Sequence, residues 1–423
     1  MSNLDEQARD ILRKNDQGGY TLPTYGLYPY QWNWDSVFAA WGFSMFDTPR
    51  AWSELDTLMA SQWGSGMVPH IIFHKASPGY FPGPDVWDTG QTPPTSGITQ
   101  PPVAAILARR IWENDPEGGR ARIEALYPKF VEWHRWWHQV RCTHGPAAIV
   151  HPWESGRDNC PDWDIGMANV DGSNVAPYTR RDTGHVNPDM RPTKDDYDRY
   201  IAMVEFGRDA GWDDTKIVKD GPFLMADPGI TFILLRAHED LAEIGRALGK
   251  DVAEIEGWAK SLRAALPKIW NDALGAYDAR DLRTGNFAGV LGSGAFLAYL
   301  AGAGNAQLDA QLMRAWDAVK YGIPSADPHA AIFNPRKYWR GPTWPVVNAL
   351  LAIGLTDAGR DDLVERLRNE TADLIRQHGF FEYFDPLDAT PCGGDNFTWT
   401  AAIWLTWVSP SAGPGPSAPK GGN

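Results

Sequence analysis

Two acidic segments of the 423-residue chain carry the residue types that acid–base chemistry needs. The first is His151-Pro152-Trp153-Glu154-Ser155-Gly156-Arg157-Asp158-Asn159, which follows the end of an expected helix and so lies on a loop. Its glycine permits a tight turn that can aim one of two carboxylates, Glu154 or Asp158, into a cavity. The neighbouring Pro152 and Trp153 argue against the plainer reading, a solvated acidic loop. The second is Phe380-Phe381-Glu382-Tyr383-Phe384-Asp385-Pro386, again directly after an expected helix. A glutamate among four aromatics has its charge in an apolar setting, which raises its pKa unless a partner intervenes. The bland alternative is a side chain that reaches solvent from the edge of an aromatic core. Taken together, two such acids meet the demands of glycoside hydrolysis. One carboxylic acid protonates the departing oxygen, and one carboxylate activates water or attacks the anomeric carbon.

No competing chemistry is visible. There is no serine elbow, no His-Glu-x-x-His and no phosphate-cradling glycine loop. Gly302-Ala303-Gly304 lies in a helical region with no strand before it, so it is not a dinucleotide fingerprint. Asp162-Trp163-Asp164 could touch a cation but lacks further oxygen ligands at calcium-loop spacing. Protonating a leaving group requires no metal, and neither a metal nor a cofactor is expected.

Composition points the same way. The chain carries 39 basic and 53 acidic residues, a net charge of −14, with no basic run. That balance excludes nucleic acid and anionic membrane as expected partners. Twenty-one tryptophans, beside 14 tyrosines and 16 phenylalanines, exceed what a core alone requires. Flat aromatic faces beside carboxylates suit sugar rings. Three cysteines (Cys142, Cys160, Cys392) lack metal or disulfide spacing, and the start Met1–Gln7 has no basic and apolar leader pattern. No apolar run is long enough for a membrane span. The expected setting is cytoplasmic.

The elements that must position these residues read as helices. Apolar residues recur at helical spacing over Leu4–Lys14, Thr48–Gln62, Thr99–Trp112, Arg120–Val140, Ile230–Leu248, Val252–Trp270, Gln307–Val319, Trp344–Leu355, Asp361–Gln377 and Phe397–Trp407. Thr48-Pro49 reads as a cap and first helical position. Three stretches, 103–140, 230–270 and 346–377, each read as two helices joined by a short polar turn. Their connections differ too much in length for a solenoid, so the expected fold is all-α, a closed toroid of helical hairpins, the (α/α)6 barrel. In such a ring every second connection opens on one face, and the site is expected there. Two long Gly- and Pro-rich segments, 68–99 and 168–196, are expected to cap that face. Residues 1–408 form one expected catalytic domain, and 409–423 a low-complexity disordered tail.

These motifs resemble a known family. Glu154-Ser155-Gly156-Arg157-Asp158-Asn159 is similar to the segment that places the general acid in inverting (α/α)6 glycosidases of glycoside hydrolase family 63 and the related trehalases. Glu382-Tyr383-Phe384-Asp385-Pro386, with Asn396–Ala402 after it, resembles the segment holding that family's general base. Tyr30–Asp35 and Tyr338–Trp344 resemble its sugar-binding segments, in the same order along the chain from about Tyr25 to Trp407. The resemblance implies Asp158 as the acid, Glu382 as the base and Asp35 as a ligand of the sugar hydroxyls. Within the family the compact size is most like glucosylglycerate and mannosylglycerate hydrolases.

The glycine run that trehalases carry after the base is replaced here by Thr390-Pro391-Cys392-Gly393-Gly394-Asp395-Asn396, so glycerate fits the leaving group better than a second sugar. An anionic glycerate needs a cation. Arg191 is the expected one, because its planar fork matches a carboxylate; the alternative is that it pairs with Asp195 or Asp196. Gln100, Tyr197, Tyr80, Tyr28 and Tyr338 are further expected contacts, and Trp34, Trp153 and Trp344 are expected walls around the sugar. Trp133, Trp136 and Trp137 share one helix and are read as packing. The activity implied is inverting hydrolysis of glucosylglycerate. Mannosylglycerate, trehalose-like α-glucosides and a non-catalytic sugar-binding protein are the alternatives. The outer helices of such a barrel remain free for assembly into a homo-oligomer.

Overall fold

The computed structural model of the chain describes residues 3–412. Twelve helices build two concentric rings: α1 (Asn3–Asn15), α2 (Asn33–Phe43), α3 (Thr48–Ala60), α4 (Ala104–Asn114), α5 (Pro116–Trp136), α6 (Pro228–Ala247), α7 (Ala253–Ala265), α8 (Ser293–Phe296), α9 (Ala306–Trp316), α10 (Pro345–Asp357), α11 (Asp361–His378) and α12 (Thr398–Ile403). A 3-10 turn, Leu297–Ala301, continues α8, and a π turn, Trp404–Val408, continues α12. The even-numbered helices form the inner ring, each packed on the next, and α12 closes the circle against α2. The odd-numbered helices lie outside. This is the (α/α)6 barrel.

Residue pattern decides which ring a helix joins. Every residue of α2 is buried, and α10 is apolar nearly all round, as helices enclosed on both sides must be. By contrast α11 buries one stripe, Leu363, Val364, Leu367, Thr371, Ala372, Leu374 and Ile375, and offers charge to solvent. Such enclosed helices give no amphipathic signal, which is why α2 and α8 are not legible as helices in the sequence. Some bounds also shift. Asp47, not Thr48, caps α3, its Oδ1 accepting from the Arg50 amide at 3.1 Å. Residues 99–103 lie outside the helix, and α4 begins at Ala104.

Inner-to-outer turns are short, whereas outer-to-inner connections are long, so the long loops gather at the N-terminal ends of the inner helices. Two-residue strands pin those loops. Gln31–Trp32 pairs antiparallel with Ile71–Ile72, and Tyr383–Phe384 with Pro391–Cys392. The two cap segments meet over this face. Phe81 stacks on Tyr178 with ring centres 4.5 Å apart, Tyr197 Oη donates to the Phe81 carbonyl at 3.2 Å, and Arg181 donates to Ser77 Oγ at 3.0 Å. The second segment runs into an unexpected cap helix, Lys194–Asp209, whose N-terminus is closed by a Thr193–Asp196 capping box.

The expected tail is partly structured: Ser409 and Ser411 donate to Asp5 of α1 at 2.7 and 3.0 Å, while 413–423 lie outside the described residues. Among the described residues, no helix is long and apolar enough to cross a membrane.

Candidate active site

A cavity opens under the cap at the N-terminal ends of the inner helices. Of the twelve residues singled out from sequence, eleven line it: Tyr28, Trp34, Asp35, Tyr80, Gln100, Trp153, Asp158, Arg191, Tyr197, Tyr338 and Glu382. Trp344 does not. It is 1% exposed, lying between Trp339 at 3.7 Å and Tyr383 at 4.4 Å, so it backs the wall instead of forming it. Its motif flags the neighbourhood but not the direction of one ring.

Asp158 reaches the cavity from a tight turn. Gly156 has φ +67°, and a Cβ there would stand 2.8 Å from the Trp34 ring, so glycine is required twice over. Tyr200 Oη donates to the Asp158 carbonyl at 2.9 Å. Burial pushes the Asp158 carboxyl up to about 7; Arg191 opposes the rise and Glu382 adds to it. Glu154, the other acid of the segment, faces away from the cavity. It is fully buried, accepts from Arg141 Nη2 at 2.9 Å and Nε at 3.2 Å, and accepts from the Val150 amide at 2.9 Å. Its two oxygens are occupied by structure.

Glu382 sits at the start of the Tyr383–Phe384 hairpin and is 1% exposed, so the solvent-reaching alternative is excluded. Tyr28 Oη donates to Oε1 at 3.0 Å, and the Gly394 amide donates to Oε2 at 3.0 Å. Burial raises its pKa, and Arg191, whose Nη1 stands 3.9 Å from Oε2, together with those donors pulls it back toward the carboxylate. Asp35, in the first turn of α2, is a third buried acid. Burial holds its pKa well above the usual carboxylate range, and the charges of Glu382 and Asp158 push the same way. Gln100 Oε1 accepts from the Trp34 amide at 3.2 Å, tying the 99–103 segment to that turn.

Arg191 is the central cation. It lies 4.0 Å above the Tyr338 ring, and its Nη2 donates to Tyr28 Oη at 3.1 Å. Its carboxylate partner is neither Asp195 nor Asp196, since Asp195 pairs with Arg199 and Asp196 caps the cap helix. The partner is Asp182, whose Oδ2 accepts from Nε at 3.0 Å. Burial alone would raise Asp182, but Arg191 and Arg180 overcome it and hold the carboxyl at about 2. Nη1 of Arg191 is buried without a hydrogen-bond partner, with Glu382 3.9 Å away.

Trp153 forms a wall with His70 stacked at 5.9 Å and His151 at 4.5 Å. Burial keeps the His70 imidazole neutral, with the nearby His151 adding to the effect. His70, Asp182, Tyr200, Trp32 and Trp399 also line the cavity and were not singled out from sequence. Asp182 had one available signal, an acid directly after Arg180 and Arg181 inside a segment already marked as a cap. Asp162 and Asp164, considered for a cation, face Arg157 at 3.7 Å and Arg340 at 2.7 Å.

Residues 28–400 match the mannosylglycerate hydrolase MGH1-like glycoside hydrolase domain. A mannosylglycerate hydrolase of Thermus thermophilus is 43% identical over 95% of this chain and 100% of its own length. A glucosylglycerate hydrolase of Mycolicibacterium hassiacum is 34% identical over 96% of this chain and 98% of its own. The crystal structure of a family 63 mannosylglycerate hydrolase from Thermus thermophilus, in complex with Tris and D-glycerate, superposes with a TM-score of 0.93. It is 42% identical, covering 96% of this chain and 100% of that one.

Proposed function

The chain belongs to the mannosylglycerate hydrolase MGH1-like enzymes of glycoside hydrolase family 63, and from that premise we propose that it hydrolyses the glycosidic bond of an α-glycosyl-glycerate with inversion. Asp158 is the general acid. Its carboxyl, raised to about 7, still holds a proton near neutrality and delivers it to the bridging oxygen as the bond to the anomeric carbon breaks. Glu382 is the base. Donors from Tyr28 and Gly394 favour its ionised form, which takes a proton from the water attacking the opposite face of the sugar. Asp35 holds sugar hydroxyls, and Trp34 and Trp153 wall the ring.

The observation that carries this reading is Arg191: a buried cation lining the cavity, 3.9 Å from Glu382, with one buried N–H group that makes no hydrogen bond. A neutral leaving sugar offers that group only hydroxyl oxygens, whereas a glycerate carboxylate offers the opposite charge and the shorter, stronger charge-assisted bond. Mannosylglycerate is the first substrate of the proposal, favoured by the higher identity to a mannosylglycerate hydrolase, and glucosylglycerate, the reading the sequence put first, is the second. The test is a panel of mannosylglycerate, glucosylglycerate and trehalose, with the anomer released followed by NMR. Turnover of a glycerate glycoside with first release of the β-sugar is expected. First release of the α-anomer would overturn inversion, and preference for trehalose would overturn the glycerate subsite.

A further inference from the structure

The turn that presents Asp158 stands on the preceding residue. Arg157 is 2% exposed, and its guanidinium enters the barrel wall between the N-terminal ends of α6 and α8. Room for it exists because the second residue of each helix, Gly229 and Gly294, is glycine. A Cβ on Gly229 would lie 2.9 Å from the guanidinium, and one on Gly294 2.7 Å. A cation at two helix N-termini is opposed by both macrodipoles. Asp227, the cap of α6, offsets this by accepting from Nη2 at 2.5 Å, and Asp162 lies 3.7 Å from Nη1. The Trp163 ring covers the group with its centre 5.1 Å from Cζ.

Such a pair adds little to stability alone, because desolvating two charges costs about as much as their attraction contributes. Its placement gives it another use. The Arg157 carbonyl accepts from Trp163 Nε1 at 2.8 Å, its amide donates to Ser155 Oγ at 2.9 Å, and the next carbonyl, that of Asp158, is held by Tyr200. Backbone atoms on both sides of the Asp158 Cα are therefore fixed. The carboxyl itself is held by its own backbone amide, so its reach is set by this backbone.

We propose that Arg157 is a positioning residue: anchored by Asp227 between α6 and α8, it sets the distance from the Asp158 carboxyl to the glycosidic oxygen. This rests on the reading of Asp158 as the acid. Its consequence is confined to leaving groups that need a proton. Glycerate leaves with its bridging oxygen protonated, so the C–O bond breaks as the proton moves from Asp158. A glycosyl fluoride of the same sugar loses fluoride unprotonated, and only Glu382 and water are then required.

Arg157→Met is expected to lower kcat on the glycerate glycoside roughly 100-fold, the scale of an ångström-level misplacement, with KM within about twofold and kcat on the glycosyl fluoride within about threefold. Arg157→Lys should recover part of the loss. Equal losses on both substrates, or no loss on either, would overturn the proposal. If Arg157→Met does not fold, Asp227→Asn is read by the same ratio. Asp158→Asn on the same two substrates separates the underlying reading: if it fails to spare the fluoride, the acid assignment falls and not merely the role of Arg157.

Discussion

Asp158, Glu382 and Asp35 line one cavity, and what distinguishes them is the donors around each. Glu382 has a tyrosine hydroxyl, an amide and the near edge of Arg191, whereas Asp158 meets chiefly the desolvation of its surroundings. Two pH effects follow. The proposed general acid, Asp158, acts in its protonated form, and with its pKa raised to about 7 by burial, kcat/KM should fall as pH rises through that value. For stability, the folded protein keeps this proton at pH values where the unfolded chain, with an ordinary aspartate near 4, has lost it. Stability is therefore lost between about pH 4 and 7 as pH rises. Asp158→Asn removes that loss. Its Tm should match the parent at pH 4 and exceed it at pH 8 in scanning calorimetry, while turnover of the glycerate glycoside falls at least ~100-fold. A Tm difference independent of pH would refute the assigned protonation.

At the scale of elements, the acid-bearing loop is held by Glu154, which joins it to Arg141 at the end of the π turn (Trp137–Arg141) that follows α5. Arg141 keeps Asp214 as a partner at 3.1 Å, but Glu154→Ala removes its fully buried partner and the acceptor of the Val150 amide, so the variant should cost about 1–3 kcal/mol in denaturant unfolding. Glu154 and Asp158 sit four residues apart in one motif, and nothing local says which faces the cavity; the resemblance to family 63 assigned it, and the Arg141 bond accounts for it. Other features were legible for local reasons. The hairpins α4–α5, α6–α7 and α10–α11 follow from apolar spacing and short turns. Asp182 and Tyr200 were not, because their role lies in contacts to Arg191 and the Asp158 carbonyl, made across loops of the fold. Trp344 was misplaced for the complementary reason: a cap residue of an enclosed helix can point either into the cavity or behind it. Gly156→Ala tests the turn itself. It forces a Cβ to within 2.8 Å of Trp34 at positive φ and should lower both Tm and kcat, with Asp158 displaced.

On the scale of the whole molecule, the ring closes through its two ends. Helix α1 supplies the outer partner of α12, and Asp5 accepts from Trp404 Nε1 at 2.8 Å as well as from Ser409 and Ser411. Asp5→Ala leaves the buried Trp404 N–H and Ser409 hydroxyl without this acceptor and should cost about 1–3 kcal/mol in unfolding free energy. It should leave kcat unchanged, since this contact is remote from the cavity; a fall in kcat at unchanged stability would show the ring to be mechanically coupled to its site. The meeting of Asp5 with Ser411 has a further consequence. With the first and last of the described helices side by side, the order of the hairpins around the barrel is cyclic. Joining the present ends by a short linker and reopening the chain at the exposed turn around Gly359 should give a protein with the same architecture, whose sequence begins at a different hairpin.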